Sequence, residues 1–476
     1  MIDSQIDRKS YLYILIFTLI LAAGLRLGGL AYWSFASDEL GTYNEIELFL
    51  HPKQNSYGDE NVPKMIPISI GFHYLARELF GIGELSARSI PALMGWLQIL
   101  ILGILLPFIF NREISLGVVI CLTLSPEHIF YSQYHRFYTI TAFFATLSIL
   151  MGLLAFSRES IFYLILALAT SIIVLFCHTL SACIVGIIFL MTLIDYYFHK
   201  PQSGKKFILI AGLGLFLSCL IFFLYLYPLG KSKVIDYNWR GLSPFDALAS
   251  SISQLSWPIF LSSLLGGGIL YYFNRCLFIK VFVVCFAWIS MVLLLPQVLT
   301  FHSAYVFPMN IGYFILSGIT IGVAAQHLTI LFRSSFRMVI FLAIITFLPF
   351  MNLPALVSYY QNGNRHDFRR AAQWLVENTT ENDFLAVLEG DKLEYYQPNL
   401  KGRWKKLPRK DYEVWFHNHR SLVGRNYFVF PAGRYGIPSE WKSWVEKNGS
   451  IQTTIVARRF DDHDYPIIIV LYRGPD

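Results

Sequence analysis

Apolar residues in this chain run on in long, nearly unbroken stretches instead of alternating as they do in half-buried elements. Eleven runs are long enough to cross a bilayer as helices. They lie near 11–33, 89–110, 114–130, 137–156, 161–178, 180–198, 207–228, 257–273, 277–295, 309–331 and 338–356. The first exceeds a signal-peptide core and no A-x-A-like site follows it, so it is expected to stay as a span. The segment 34–88 is different. It mixes apolar and charged positions and holds two helix-like stretches, near 38–50 and 65–80, of the kind that lie along a membrane surface. A second long loop, about 229–256, carries Lys231, Lys233, Asp236 and Arg240. After 356 the pattern turns to that of a small α/β domain. Helical spacing appears over 367–378 and 439–447, and strand signals at 384–388, 427–430, Val456 and 467–472. The pattern therefore predicts a polytopic α-helical membrane protein of about eleven transmembrane helices over 1–356. Its first outer loop (about 34–88) carries interfacial helices, and a soluble α/β domain follows over 357–476. No repeat of 20–50 residues is present.

Composition agrees with this division. The 476 residues are 55% hydrophobic and only 14% charged, against about 25% charged in soluble domains. From Val357 onward there are 18 Lys/Arg and 15 Asp/Glu, whereas the first 356 residues hold 20 and 16. All six cysteines (121, 177, 183, 219, 276 and 285) fall in apolar segments, which excludes a disulfide scaffold or a zinc ribbon. A net charge of +7 without a basic block makes nucleic acid an unexpected partner.

Charge placement sets the expected orientation. Arg8, Lys9, Arg112, Arg158, Lys200, Lys205, Lys206, Arg275, Lys280, Arg333 and Arg337 all fall on one side of an eleven-span plan. The positive-inside rule puts that side, and the N-terminus, in the cytoplasm, with the tail outside.

Few polar residues remain at the outer ends of the spans, and they are the candidates for chemistry. Ser37, Asp38 and Glu39 follow span one. Two carboxylates there suit a general base or a metal ligand, and equally the N-terminus of any helix. On a helix they point about 100° apart, so one of them faces a given site. Arg26 lies inside span one, roughly 10 Å from its outer end. An intramembrane arginine is either functional or snorkels to the interface. Lys64 sits between Pro63 and Pro67 at the entry to the second surface helix, and Arg88 opens span two. The turn between spans three and four is the richest, with Glu127, His128, Gln133, His135, Arg136 and Tyr138. Its donors suit phosphate recognition. His178 lies in the turn between spans five and six, where a helix cap is the plainer explanation. No cluster has a convincing metal-ligand spacing, and Asp461, Asp462, His463 and Asp464 read as a solvated turn.

Taken together these residues resemble a family. Arg26 with Asp38 and Glu39 resembles the polyprenyl-phosphate-sugar glycosyltransferases of the GT-C superfamily, nearest to the protein O-mannosyltransferases and the bacterial aminoarabinose transferases. Leu79, Phe80 and Gly81, followed by Ser86, Ala87, Arg88, Ser89, Ile90 and Pro91, look like that family's entry to span two. Ser125 and Pro126, then Tyr131, Ser132 and Gln133, then Arg136, Phe137 and Tyr138 look like its "SP…YSQ..R.Y" turn, and His178, Thr179 and Leu180 are similar to a further element. The likeness covers roughly residues 20–200. It implies Asp38 as catalytic base with Glu39 beside it, and Lys64 and Arg136 as contacts for the carrier phosphate, with Arg26 and Arg88 as further cationic candidates. Glu127, His135, His178 and Tyr138 are additional candidates. The chain departs from its relatives at two places. Tyr134 stands where many have an acidic residue, and Ala304 precedes Tyr305 where they often have arginine. Lys231, Lys233 or Arg240 would then supplement the phosphate contacts.

The resemblance implies an inverting transfer of one sugar from a polyprenyl-phosphate carrier to a lipid, polysaccharide or protein acceptor, by analogy at a bacterial inner membrane. One base plus cations suffices chemically. The phosphate leaves already stabilised and needs no carboxylic acid to protonate it. No cofactor is required, and a divalent cation is compatible with the site. Two alternatives stand beside this reading. An O-antigen polymerase or ligase would depend on the arginines and not on Asp38. A secondary transporter would place its site at the midplane of repeated halves.

Overall fold

The computed structural model describes residues 6–50, 67–178, 181, 183–200, 204–226, 243–297, 303–331, 337–362, 365–407, 412–420, 424–431, 443–444, 447–456 and 466–472. Contacts divide the chain into two compact units. The first comprises Met1–Gly28, Gln54–Ile82 and Ser86–Leu353, and the second Gly29–Lys53, Gly83–Leu85 and Pro354–Asp476.

The helices in chain order are α1 (Arg8–Leu27), α2 (Ser37–Leu50), α3 (Pro67–Phe80), α4 (Glu84–Leu105), α5 (Arg112–Thr123), α6 (Pro126–Ser132), α7 (Tyr138–Ser157), α8 (Ile161–Cys177), α9 (Cys183–His199) and α10 (Gly204–Ile221). They continue as α11 (Pro244–Leu255), α12 (Trp257–Phe273), α13 (Arg275–Leu294), α14 (Ile311–Leu331) and α15 (Arg337–Phe350). The protein is a multi-pass membrane protein. Among the described residues six helical stretches are continuous and apolar enough to cross a bilayer. Three more are bent pairs: α5 with α6 at 62°, α11 with α12 at 93°, and Leu342–Phe350 with Leu353–Gln361. α8 and α9 are apolar but only 17 residues long. Among the described residues each of the eleven apolar runs holds a helix, while six to nine stretches qualify as spans by length and composition. The span near 114–130 differs most from a plain rod, because Ser125 and Pro126 start a new helix there. Pro126 cannot donate a backbone hydrogen bond and sits at the first helical position.

The interior of the first unit is made by α5, α7 and α14, which are buried along most of their length. Without a hydrophobic drive between helices in lipid, close backbone approach sets the packing. A Cβ on Gly117 of α5 would meet the Gly318 carbonyl oxygen of α14 at 2.9 Å, and one on Gly266 of α12 would meet the Leu316 oxygen at 1.8 Å. α10 and α13 instead expose Leu209, Leu213, Phe216, Phe282 and Phe286, the aliphatic and aromatic faces expected toward lipid.

The second unit holds α2 and the charged tail. The tail adds α16 (Leu353–Asn362), α17 (Phe368–Asn378), α18 (Gly390–Tyr396) and α19 (Tyr412–His419). Its strands are β1 (Phe384–Val387), β2 (Trp404–Lys406), β3 (Asn426–Pro431), β4 (Gly449–Ile455) and β5 (Ile467–Tyr472). They form one sheet in the order β2-β1-β3-β5-β4, parallel where β1 meets β2 and β3, antiparallel beyond. Alternate residues of the strands feed two cores. Leu385, Val387, Tyr427 and Val429 pack on one side with Phe368, Ala372 and Leu375 of α17. Ala386, Phe428 and Phe430 pack on the other with Phe416 of α19. The helix expected over 439–447 and the turn at 461–464 lie largely outside the described residues. The expected strand signal at Val456 falls one residue beyond β4, which ends at Ile455.

Candidate active site

α1 ends at a pair of glycines. Gly29 takes φ +72, a left-handed conformation open to glycine, and turns the chain out of the helix. A short segment, 30–36, then leads into the first turn of α2. That turn is a half capping box. The Glu39 carboxylate, three residues on from Ala36, accepts the Ala36 N–H through Oε2 at 2.9 Å. The same oxygen accepts from Arg365 Nη1 at 2.6 Å, and neither side chain of the pair meets solvent appreciably. Asp38, one residue earlier, is exposed. The two adjacent carboxylates therefore have different surroundings, as the 100° turn per residue requires.

The segment before α2 is tied to the tail at several further points. Ser34 Oγ donates to the His366 carbonyl at 3.0 Å and accepts the Phe368 N–H at 3.2 Å. The Phe35 N–H donates to the Tyr396 hydroxyl at 2.5 Å, and that hydroxyl donates to Glu84 Oε1 at 2.8 Å. Arg369 donates to the same Glu84 oxygen. The Phe35 ring packs edge-on against Tyr395, with centroids 5.6 Å apart.

The other sequence candidates belong to the first unit. Arg26 is fully buried. Its Nη2 donates to the Leu122 carbonyl at 2.8 Å and to His128 Nδ1 at 2.8 Å, and its Nη1 donates to the Ala22 and Thr123 carbonyls. Arginine can only donate, so His128 Nδ1 accepts and the ring proton is on Nε2. Nε2 then donates to Gln98 Oε1 at 2.9 Å, and Gln98 passes a hydrogen bond to Thr146. Gln133 of the same turn donates to the carbonyls of Leu25, Arg26 and Gly28. It closes off the carbonyl end of α1. Arg88 is also fully buried. Glu127 is buried, and its Oε2 accepts from Asn310 Nδ2 at 2.8 Å while Asn310 Oδ1 accepts from Trp288.

Arg136 is half-buried and stands among imidazoles. Its guanidinium carbon lies 5.3 Å from the Phe137 ring centre, and His73 and His178 feel its charge. His73 of α3 meets His135 edge-on with ring centres 4.3 Å apart. His178 stacks between Phe137 (4.8 Å) and Tyr305 (5.6 Å). Tyr138 lies in the same aromatic group, 5.3 Å from Tyr131. His73 is buried, with the Ala87 backbone and the His135 ring beside it.

The structure thus joins Arg26 to the α6 turn, and Arg136 to His135 and His178. Lys64, Lys231, Lys233, Arg240 and the acidic run at 461–464 lie outside the described residues. Sequence reading missed His73, Asn310, Glu84, Arg365 and Tyr396. Each meets a partner distant in sequence, so only the fold brings them together. Among the described residues one group has metal-ligand geometry, Asp195, His199 and Cys276. Lys280 donates to the Asp195 carboxylate and lies over the Phe156 ring, so a cation already occupies that corner.

No protein-family model and no curated protein matches the chain by sequence. Solved structures do match. The chain aligns with ArnT from Cupriavidus metallidurans in the apo state at 12% identity and TM-score 0.55, covering 96% of this chain and 97% of that one. ArnT bound to undecaprenyl phosphate aligns at 11% and TM-score 0.55, with 98% of both chains covered. The chain has the GT-C fold. The oligosaccharyltransferase of Archaeoglobus fulgidus in its apo form is similar too, at 12% identity and TM-score 0.59, over 90% of this chain and 70% of that one. The resemblance seen in residues 20–200 therefore extends through the tail as a shared fold.

Proposed function

We propose that the chain is an inverting glycosyltransferase that moves one hexose or pentose from a polyprenyl-phosphate carrier to a lipid, polysaccharide or protein acceptor. The observation that carries this reading is the exposed carboxylate of Asp38, in the first turn of the helix after the first span. It stands on a fold shared along nearly its whole length with ArnT, a protein crystallised with undecaprenyl phosphate.

The reaction divides simply. Asp38 takes the proton of the acceptor hydroxyl as that oxygen attacks the anomeric carbon. The bond from this carbon to the phosphate oxygen breaks, and its electron pair leaves with the phosphate. Arg136, with Lys64, meets the charge that accumulates there, which replaces the proton a glycosidase would supply. His135, His178 and Tyr138 line the turn that holds Arg136. Arg26 and Arg88, wholly buried, are assigned here to the bundle and not to the phosphate. The Lys/Arg distribution supports a cytoplasmic N-terminus and transfer on the outer face of a cell's inner membrane.

The test uses membranes containing the chain and undecaprenyl-phosphate-linked sugars with a radiolabel in the sugar. Asp38→Asn is expected to lower transfer about 10²–10⁴-fold, the range for a general base, while undecaprenyl phosphate still binds. Transfer by that variant at the wild-type rate overturns the reading.

A further inference from the structure

Glu39 is wholly buried, yet the catalytic reading gives it nothing to do. Its Oε2 accepts two hydrogen bonds, one from Ala36 N–H at 2.9 Å and one from Arg365 Nη1 at 2.6 Å. The first fixes where α2 begins. The second joins that point to a residue 326 positions later in the chain. We infer that Arg365 is a positioning residue for the transfer reaction, holding the first turn of α2 through Glu39 and thereby setting where Asp38 stands. This rests on the reading of Asp38 as the base.

The physical argument runs through burial. A carboxylate out of water is tolerable when it is paired and its lone pairs are filled. Arg365 supplies the opposing charge, and Ala36 N–H shares the same oxygen. Without the guanidinium, the carboxylate is driven toward water. Movement toward water draws the carboxylate off Ala36 N–H, which loosens the turn that carries Asp38. Asp38 lies between these two residues in sequence, and its own carbonyl accepts from Thr42 Oγ1 at 3.2 Å inside the helix. A change in the first turn is thus transmitted directly to the base. The neighbouring ties add direction: Ser34 to His366 and Phe368, and Phe35 to Tyr396, hold the strand of chain that enters the turn. Asp38 is therefore set by the tail as well as by its own helix. General-base catalysis is sensitive to such placement, since a misplacement of about 1 Å can cost about 10²-fold in rate.

The experiment compares the full-length wild type, Asp38→Asn, Arg365→Ala, Arg365→Lys and the double variant Glu39→Gln/Arg365→Met. All are assayed in membrane vesicles with radiolabelled undecaprenyl-phosphate-linked sugars, and melting temperature and undecaprenyl phosphate affinity are read on the same preparations. Arg365→Ala is expected to lose about 10²-fold in kcat, with the KM for the carrier sugar within about twofold of wild type. Millimolar guanidinium is expected to return part of that kcat to Arg365→Ala and none to Asp38→Asn, and Arg365→Lys should retain more activity than Arg365→Ala. A merely structural ion pair would lower the melting temperature while leaving kcat of the folded fraction, and its response to guanidinium, unchanged. That result overturns the proposal. So does a KM that rises with kcat intact, which would make Arg365 a carrier contact. Should Arg365→Ala not fold, Arg365→Lys decides, because it keeps a buried cation without the planar fork. Folded and low in kcat it supports positioning, and folded with wild-type kcat it overturns it. The double variant strands no charge and keeps an acceptor for Ala36 N–H, so it should retain more kcat than Arg365→Ala. If Asp38→Asn itself transfers normally, the base assignment falls and the proposal with it. If Asp38→Asn is inactive and Arg365→Ala is not, positioning alone falls.

Discussion

Glu39 and Arg365 form a buried ion pair, Oε2 to Nη1 at 2.6 Å, although every apolar run after the first separates them in sequence. Such pairs are asymmetric in their energetics. Removing one partner leaves a charge stranded out of water, whereas removing both leaves none. Arg365→Met alone is therefore expected to destabilise the fold by about 3–5 kcal/mol. Glu39→Gln/Arg365→Met should recover most of that loss. Thermal melting of the detergent-solubilised protein compares the two.

Arg26 has the profile of an internal clamp. Its guanidinium bonds three backbone carbonyls and His128, and the side chain is fully buried. Arg26→Leu is expected to strip partners from the Leu122 and Thr123 carbonyls and to reduce the yield of folded protein several-fold, a penalty of about 1–3 kcal/mol per stranded group. Size-exclusion profiles of solubilised protein measure this. A folded Arg26→Leu protein that has lost only its affinity for undecaprenyl phosphate would instead return Arg26 to the phosphate site.

Arg136 should behave in the opposite way. It is half-buried and stands over an aromatic ring beside imidazoles. Arg136→Ala is expected to leave the melting temperature within a few degrees of wild type. Undecaprenyl phosphate should bind at least about tenfold more weakly, the loss of one charge-assisted hydrogen bond. Arg136→Lys should restore affinity only in part, because a point charge replaces a planar fork. Native mass spectrometry or a fluorescence titration reads both.

The tail carries a pH dependence of its own. Burial pushes the Asp383 carboxyl upward, but hydrogen bonds from Thr380 N–H and from the Arg425 side chain and backbone outweigh it and hold the group below the usual carboxylate range. A depressed carboxylate stabilises the fold above its unfolded pKa of about 4. That contribution is lost as pH falls through the lower folded value. The melting temperature should therefore drop on acidification below about pH 4, and Asp383→Asn should remove this component of the drop. Melting curves across pH 2–7 test the sign.

Helix positions were readable because apolar length is a direct signal, and among the described residues each of the eleven runs holds a helix. What length alone did not convey was continuity. The Ser125–Pro126 step bends one run by 62°, and the break between Phe350 and Leu353 bends the run near 338–356 by 54°. Neighbours in sequence were also readable: Asp38 and Glu39 could be singled out, and their divergence follows from helix geometry. Which of the two is buried depends on Arg365, and nothing near residue 39 announces residue 365. The same holds for His73 beside His135 and for Glu127 beside Asn310, whose partners come from other helices. In the tail, the apolar strands β1, β3 and β5 stood out, whereas β2, with Trp404 followed by two exposed lysines, did not. As an edge strand its identity comes from pairing with β1.

The compact unit that contains the tail also contains residues 29–53 and 83–85. Anyone grafting a tail from a related protein must therefore transplant three pieces of chain. A junction cut cleanly at residue 356 would sever Ser34 from His366, Glu39 from Arg365 and Glu84 from Arg369 and Tyr396. The exchangeable module is discontinuous, and substitutions in those three pieces should be inherited together.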